Sequence, residues 1–250
     1  MVQSALTALL AIGLLMTILS CQPLIKDYIT NKSLILGSGF GNTGYFGIPI
    51  SLALLPKQAL VYSIGFDIGA TLVIWIVGPM TFSNSQYGFI QKKYWSNLIN
   101  AIVSSPAIKG LVGALIIQSS PWNEKITSLL WIPSRIVIVL AIFIVGMRLS
   151  FLRKSNLSTI KVKILSIKNA LFIKMIGLPV LMFIISTIIG LPIIMRNALV
   201  LQAGAPTALS VLLISQAASR DDDDEATSLI IFSTLSALIT IPVWIMILRL

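Results

Sequence analysis

FGNTGYFGIPIS, residues 40–51, holds three glycines, a proline and the polar pair Asn42–Thr43. The run around it, residues 34–55, is otherwise apolar enough to cross a bilayer. Proline removes a backbone donor and its ring clashes with the preceding turn. Glycine lets the chain leave helical geometry cheaply. A helix that carries both is expected to break, and the freed N–H and C=O groups then need partners in mid-membrane. Irregular backbone is tolerated at that depth only where it is buried in protein or lines a wet cavity.

The rest of the chain supplies the setting. Of 250 residues, 56% are hydrophobic and 10% are charged, against about 25% charged in soluble domains. Mean hydropathy is +0.97. These values predict an all-α, multi-pass membrane protein. One cysteine and no histidine exclude an internal disulfide scaffold and cysteine–histidine zinc sites. Missing histidine also weakens any enzyme reading, and neither a serine–histidine set nor paired intramembrane aspartates suggests one. No phosphate-binding loop of the G-x-x-x-x-G-K-[ST] type is present, so direct drive by ATP is not expected. No cofactor and no metal site is expected.

Apolar segments near 3–21, 34–55, 58–80, 97–118, 127–149, 169–191, 196–218 and 226–248 predict eight spans. The first could be taken for a signal peptide, but no positive residue precedes its apolar core. The net charge of +10 falls in short loops between the spans, which is an orientation signal and not a nucleic-acid footprint. One side collects eleven Lys and Arg, the other four (Lys57, Lys125, Arg196 and Arg249). The eleven-charge side is predicted cytoplasmic, with both termini outside. The basic loop 150–168 is expected to meet anionic headgroups. The acidic run Asp221 to Glu225 reads as carboxylates at the positive end of the eighth helix dipole.

The seventh segment repeats the pattern of the second. LVLQAGAPTALSVLLISQAA, residues 199–218, again places small and polar residues before a proline, Pro206. The second span starts inside and the seventh outside. Interrupted helices at matching places in oppositely oriented halves point to a transporter's binding site. The expected site residues are Asn42, Thr43, Gly44, Gly47 and Pro49 from the first break, and Gln202, Gly204, Pro206, Thr207 and Ser210 from the second. Asp67, Lys109 and Arg135 fall inside spans, roughly 12–14 Å from the outer surface at 1.5 Å per residue. Such charges are usually paired or functional. An Asp67 ion pair with Lys109 or Arg135 is one reading. Uptake of a coupling proton or sodium ion by Asp67, or a basic residue meeting an anion, is the other. Lys174 is placed near the cytoplasmic end of its span, where it can snorkel.

At these residues the chain resembles the auxin efflux carrier family, the PIN-like membrane transport proteins. GNTGYFGIP at 41–49 matches that family's N-T-G-x-x-G-x-P crossover motif. LQAGAPTALSVLLISQ at 201–216 resembles its second crossover helix, and LSALITIPVWIMIL at 235–248 its closing helix. The resemblance implies ten helices in two inverted five-helix repeats, with two broken helices crossing at the substrate site. It also implies elevator-like secondary transport of small organic anions, coupled to H+ or Na+, in a plasma or inner membrane, with a homodimer possible. Aligned on the crossovers, the chain starts at the family's third helix. Residues 1–80 then form an incomplete first repeat, 81–96 a cytoplasmic loop and 97–250 a complete second repeat. A truncated, non-transporting member of that family is the alternative. The family often has asparagine a few residues after the second proline, where this chain has Ser210, so substrate choice does not transfer.

Overall fold

The computed structural model describes residues 1–21, 29, 31–82, 106–149, 157–218 and 223–250. The loop expected at 81–96, the orientation charges Lys26, Lys92, Lys93, Arg153, Lys154 and Arg220, and Asp221 and Asp222 lie outside the described residues, apart from positions 81 and 82. Among the described residues the fold is helical, with an isolated β-bridge and no named strand.

The helices, in chain order, are α1 (Val2–Cys21), α2 (Lys32–Gly39), α3 (Ile48–Leu54), α4 (Ala59–Phe82), α5 (Pro106–Gln118), α6 (Asn123–Leu149), α7 (Leu157–Phe172), α8 (Leu178–Ile188), α9 (Ile193–Ala203), α10 (Leu209–Ala218) and α11 (Asp223–Leu248). A π turn, Thr43–Gly47, leads into α3, and a second, Ile173–Gly177, joins α7 to α8. Among the described residues four stretches are long and apolar enough to cross a membrane: Val2–Ser20, Ala59–Gly78, Lys161–Ile188 and Asp224–Leu248.

The chain forms two compact units. The first joins Met1–Phe82 to Leu149–Leu250; the second is Ser83–Arg148. In the second unit, α5 and α6 are joined by a tight turn in which Ser120 N donates to Ile117 O at 3.0 Å and Asn123 N to Ser120 O at 3.2 Å. Leu115, Ile116, Leu129, Ile132 and Phe143 stand exposed on these helices, apolar surface of the kind that lipid covers.

In the first unit α4 is the central strut. It packs against α1 on one face and meets the first π turn, α3, α9 and α10 elsewhere. The α1 contact is close because Gly65 and Gly69, spaced as G-x-x-x-G, present no side chain to it. A Cβ at Gly69 would lie 2.5 Å from Ala5 O and 3.0 Å from Ala5 Cα. Small residues at such spacing let helix backbones approach, which is the main source of packing energy between membrane helices. Asp67, two residues from each glycine, falls on the opposite side of the helix. On the other flank α7 packs against α11, and α2 against both. There Lys163 Nζ and Asp224 Oδ2 stand 3.6 Å apart near the start of α11. The pair is exposed on the aspartate side and worth little in stability.

Both π turns have a common local cause. Each ends on a glycine that a β- or γ-branched residue and a proline follow: Gly47-Ile48-Pro49 and Gly177-Leu178-Pro179. A proline inside a helix lacks the N–H of the i→i−4 ladder and crowds the carbonyl four residues back. The ladder loosens by one residue just before it. Ile48 N donates to Thr43 O, and Leu178 N to Ile173 O, each five residues back. The carbonyl that Pro179 cannot serve, Met175 O, accepts from Trp244 Nε1 of α11 at 3.3 Å.

Candidate functional site at the helix crossing

The second and seventh apolar segments are both interrupted, and their interruptions touch. Between α2 and the first π turn the chain is extended at Phe40, whose φ is −114° and ψ 122°. Between α9 and α10, Gly204–Ala208 leaves the helix. The two gaps run antiparallel past each other at Gly41 and Thr207. Asn42 N donates to Pro206 O at 2.6 Å, and Ala208 N donates to Phe40 O at 3.0 Å. Each break thus satisfies part of the other's loosened backbone, which the low-dielectric setting demands.

The two prolines do different work. Pro206 lies in its gap. Pro49 does not: the first gap falls at Phe40–Asn42, and Pro49 sits in the first turn of α3, where its effect is the π turn. Asn42 is the cap that restarts the helix, its Oδ1 accepting from Tyr45 N at 3.3 Å. Asn42 O receives both Phe46 N and Gly47 N, each at 3.1 Å.

Side chains then bind the crossing to its neighbours. Thr207 N donates to Ser233 Oγ of α11 at 3.0 Å, and its hydroxyl to Gly37 O of α2 at 3.2 Å. Gln202 is fully buried; its Nε2 donates to Ser51 Oγ of α3 at 3.2 Å, and its Oε1 has no hydrogen-bond partner among the described residues. The Gln202 amide presses on Gly47, where any side chain would collide with it. Thr43 donates its hydroxyl to Asp67 Oδ1, and Gly44 lies against the same carboxylate. The structure therefore brings Asn42, Thr43, Gly44, Gly47, Gln202, Pro206 and Thr207 together. Gly204 caps α9, its N–H donating to Val200 O at 3.0 Å. Ser210 lies in the first turn of α10, half-buried.

The intramembrane charges sort differently. The described partner of Asp67 is a hydroxyl, not a cation. Lys109 is exposed on α5 of the second unit, and the Arg135 side chain lies outside the described residues. The cation at the crossing is one that sequence reasoning placed elsewhere. Lys174 is not near the end of its helix: that helix begins at Leu157, twelve residues before the expected 169, and continues through the π turn to Ile188. Its side chain is fully buried, and Nζ donates to Ala203 O, at the end of α9, at 2.7 Å. A signal was available in Gly177-Leu178-Pro179, the same triplet pattern that closes the first π turn.

Two features of this site fit a solute pathway. The second break, 201–208, is buried throughout, whereas Asn42, Gly44 and Pro49 of the first are half-buried and Tyr45 is exposed. The first break thus offers an open wall and the second a fixed one. The segments that restart after the gaps, at Thr43 and Leu209, also direct the positive ends of their dipoles toward the crossing.

Over residues 1–245 the chain matches the family described as membrane transport protein, and it belongs to that auxin efflux carrier-like (PIN-like) family. The helices, the joined breaks and the family together define a membrane transporter, and the family is not an enzymatic one. No curated protein and no solved structure matches the chain.

Proposed function

We propose that the chain is a gradient-driven carrier of a small organic anion, with the crossing of the two broken spans as its substrate site. The observation that carries this reading is the pairing of the gaps at Gly41 and Thr207 within a member of a transport family. Loosened backbone in mid-span, half-helix ends and polar side chains are what a carrier needs to hold a solute there. An anionic group is favoured by the helix starts at Thr43 and Leu209. Asn42, on the open wall, is the side chain positioned to contact the solute. Asp67 is the carboxylate that touches the crossing, and H+ or Na+ is the driving ion.

An inverted repeat gains support from how the elements pair. α1 packs on α4 as α7 packs on α11, and α4 reaches α9 as α11 reaches α2. In this reading the first unit is the moving body and the second belongs to the static scaffold and a homodimer face. The protein resides in the plasma or inner membrane with both termini outside.

The test is flux. Purified full-length protein in proteoliposomes should take up one of a panel of labelled mono- and dicarboxylates saturably, and Asn42→Ala should reduce uptake at least about tenfold, the effect of losing roughly 1.4 kcal/mol of binding. Absence of anion flux under every proton, sodium and anion gradient tried would remove the proposal.

A further inference from the structure

The buried Lys174 poses a problem that the substrate site does not solve. An unpaired charge inside a membrane is costly. Among the described residues no carboxylate lies within 4.0 Å of its ammonium. What faces the ammonium is backbone. Ala203, whose carbonyl accepts from Nζ at 2.7 Å, is the last residue of α9. The final carbonyls of a helix have no partners in their own ladder, and together they form its negative end. A Cβ built on Gly41 would lie 3.1 Å from Lys174 Nζ and 3.1 Å from Ala205 O. A second carbonyl of the gap thus stands within about 6 Å of the ammonium, and the floor between them is a glycine.

Carbonyl oxygens at the C-terminal end of a broken half-helix form the kind of site that holds a monovalent cation. Two observations oppose the reading of Lys174 as an anion receptor: it is fully enclosed, and its surroundings are acceptors that repel an anion. We propose that Lys174 is a tethered cation: its ammonium permanently fills a monovalent-cation cradle made by the α9 terminus and the second gap, so that this cradle takes no sodium. The inference goes beyond the substrate reading and does not depend on it, because its readout is stability, not flux.

The full chain in detergent is melted in sodium chloride and in choline chloride at equal ionic strength. Wild-type protein should melt at the same temperature in both. Lys174→Ala should lower the midpoint by roughly 5 °C or more. Sodium or ethylammonium should restore at least half of that loss, as ligands that bind only the folded state do, and choline, too large for the hole, should restore none. Lys174→Met, which fills the space without charge, should be destabilised and not rescued. Three results would overturn the proposal: sodium stabilising the wild type by more than about 2 °C over choline, a Lys174→Met midpoint equal to wild type, or a folded Lys174→Ala protein indifferent to every small cation. If neither variant folds, the wild-type comparison decides alone.

Discussion

A methyl group added at Gly47 tests the contact that locks the first broken span to the second. In Gly47→Ala the new Cβ would stand 2.8 Å from Gln202 Cδ and 3.2 Å from its Nε2, and closer still to Oε1. Gln202 is fully buried, so its amide has no open space to enter. Forcing it aside breaks the Nε2 bond to Ser51, a loss of about 1 kcal/mol. Overpacking adds about 1–3 kcal/mol. Replacing glycine within a helical turn returns up to about 1 kcal/mol. The net is about 2 kcal/mol, or a fall of ~4–8 °C in Tm for a chain of this length. Thermal unfolding of purified protein measures it, and a double-mutant cycle gives the decisive comparison. Gln202→Ala opens space where the new methyl would go, so the double variant should be more stable than the sum of the single effects by about 1–3 kcal/mol. If Gly47→Ala melts with wild type, or the two changes add within about 0.5 kcal/mol, the two spans are not locked at this point.

Three further changes probe the remaining supports. Gly69→Ala drives a Cβ into the backbone of Ala5, which cannot swing aside as a side chain can, and should cost at least about 2 kcal/mol in unfolding experiments. Trp244→Phe leaves Met175 O buried without its indole donor and should destabilise by about 1–3 kcal/mol, while Met175→Leu, which keeps the carbonyl, should not. Thr43→Val removes the hydroxyl that Asp67 accepts; anion flux should fall at least about tenfold, the kinetic equivalent of 1.4 kcal/mol, while Thr43→Ser retains it.

The breaks themselves were legible. Glycine, proline and amide residues clustered in two apolar runs predicted interruptions near 42–49 and 203–207, and the gaps at 40–42 and 204–208 lie there or within two residues. What composition could not give was which of those residues forms the gap. Pro49 loosens a helix, whereas Phe40 and Gly41 leave it, and the difference depends on a strand-like pairing with a segment far along the chain. Lys174 was misplaced for a different reason. Lys161, Lys163 and Lys168 look like loop residues to a hydropathy count, yet they lie on α7, a helix of 16 residues that extends the segment toward its start. With that start moved, Lys174 shifts from the end of its helix to the middle. The partner of Asp67 was missed because charges in a membrane suggest opposite charges first, and a threonine hydroxyl is a quieter signal. The Gly65–Gly69 spacing was readable as a packing face and explains why Asp67 points away from α1.

The bridge between Gly41 and Thr207 also bears on biogenesis. A ribosome delivers Phe40 long before Ala208, and Gly37 long before the threonine hydroxyl that it accepts, 170 positions later. The first gap therefore enters the translocon with its hydrogen-bonding groups unanswered, and waits there until most of the polypeptide has been made. Contacts of such high order are slow to close. Closure of the crossing accordingly waits on synthesis of the second break at Gly204–Ala208.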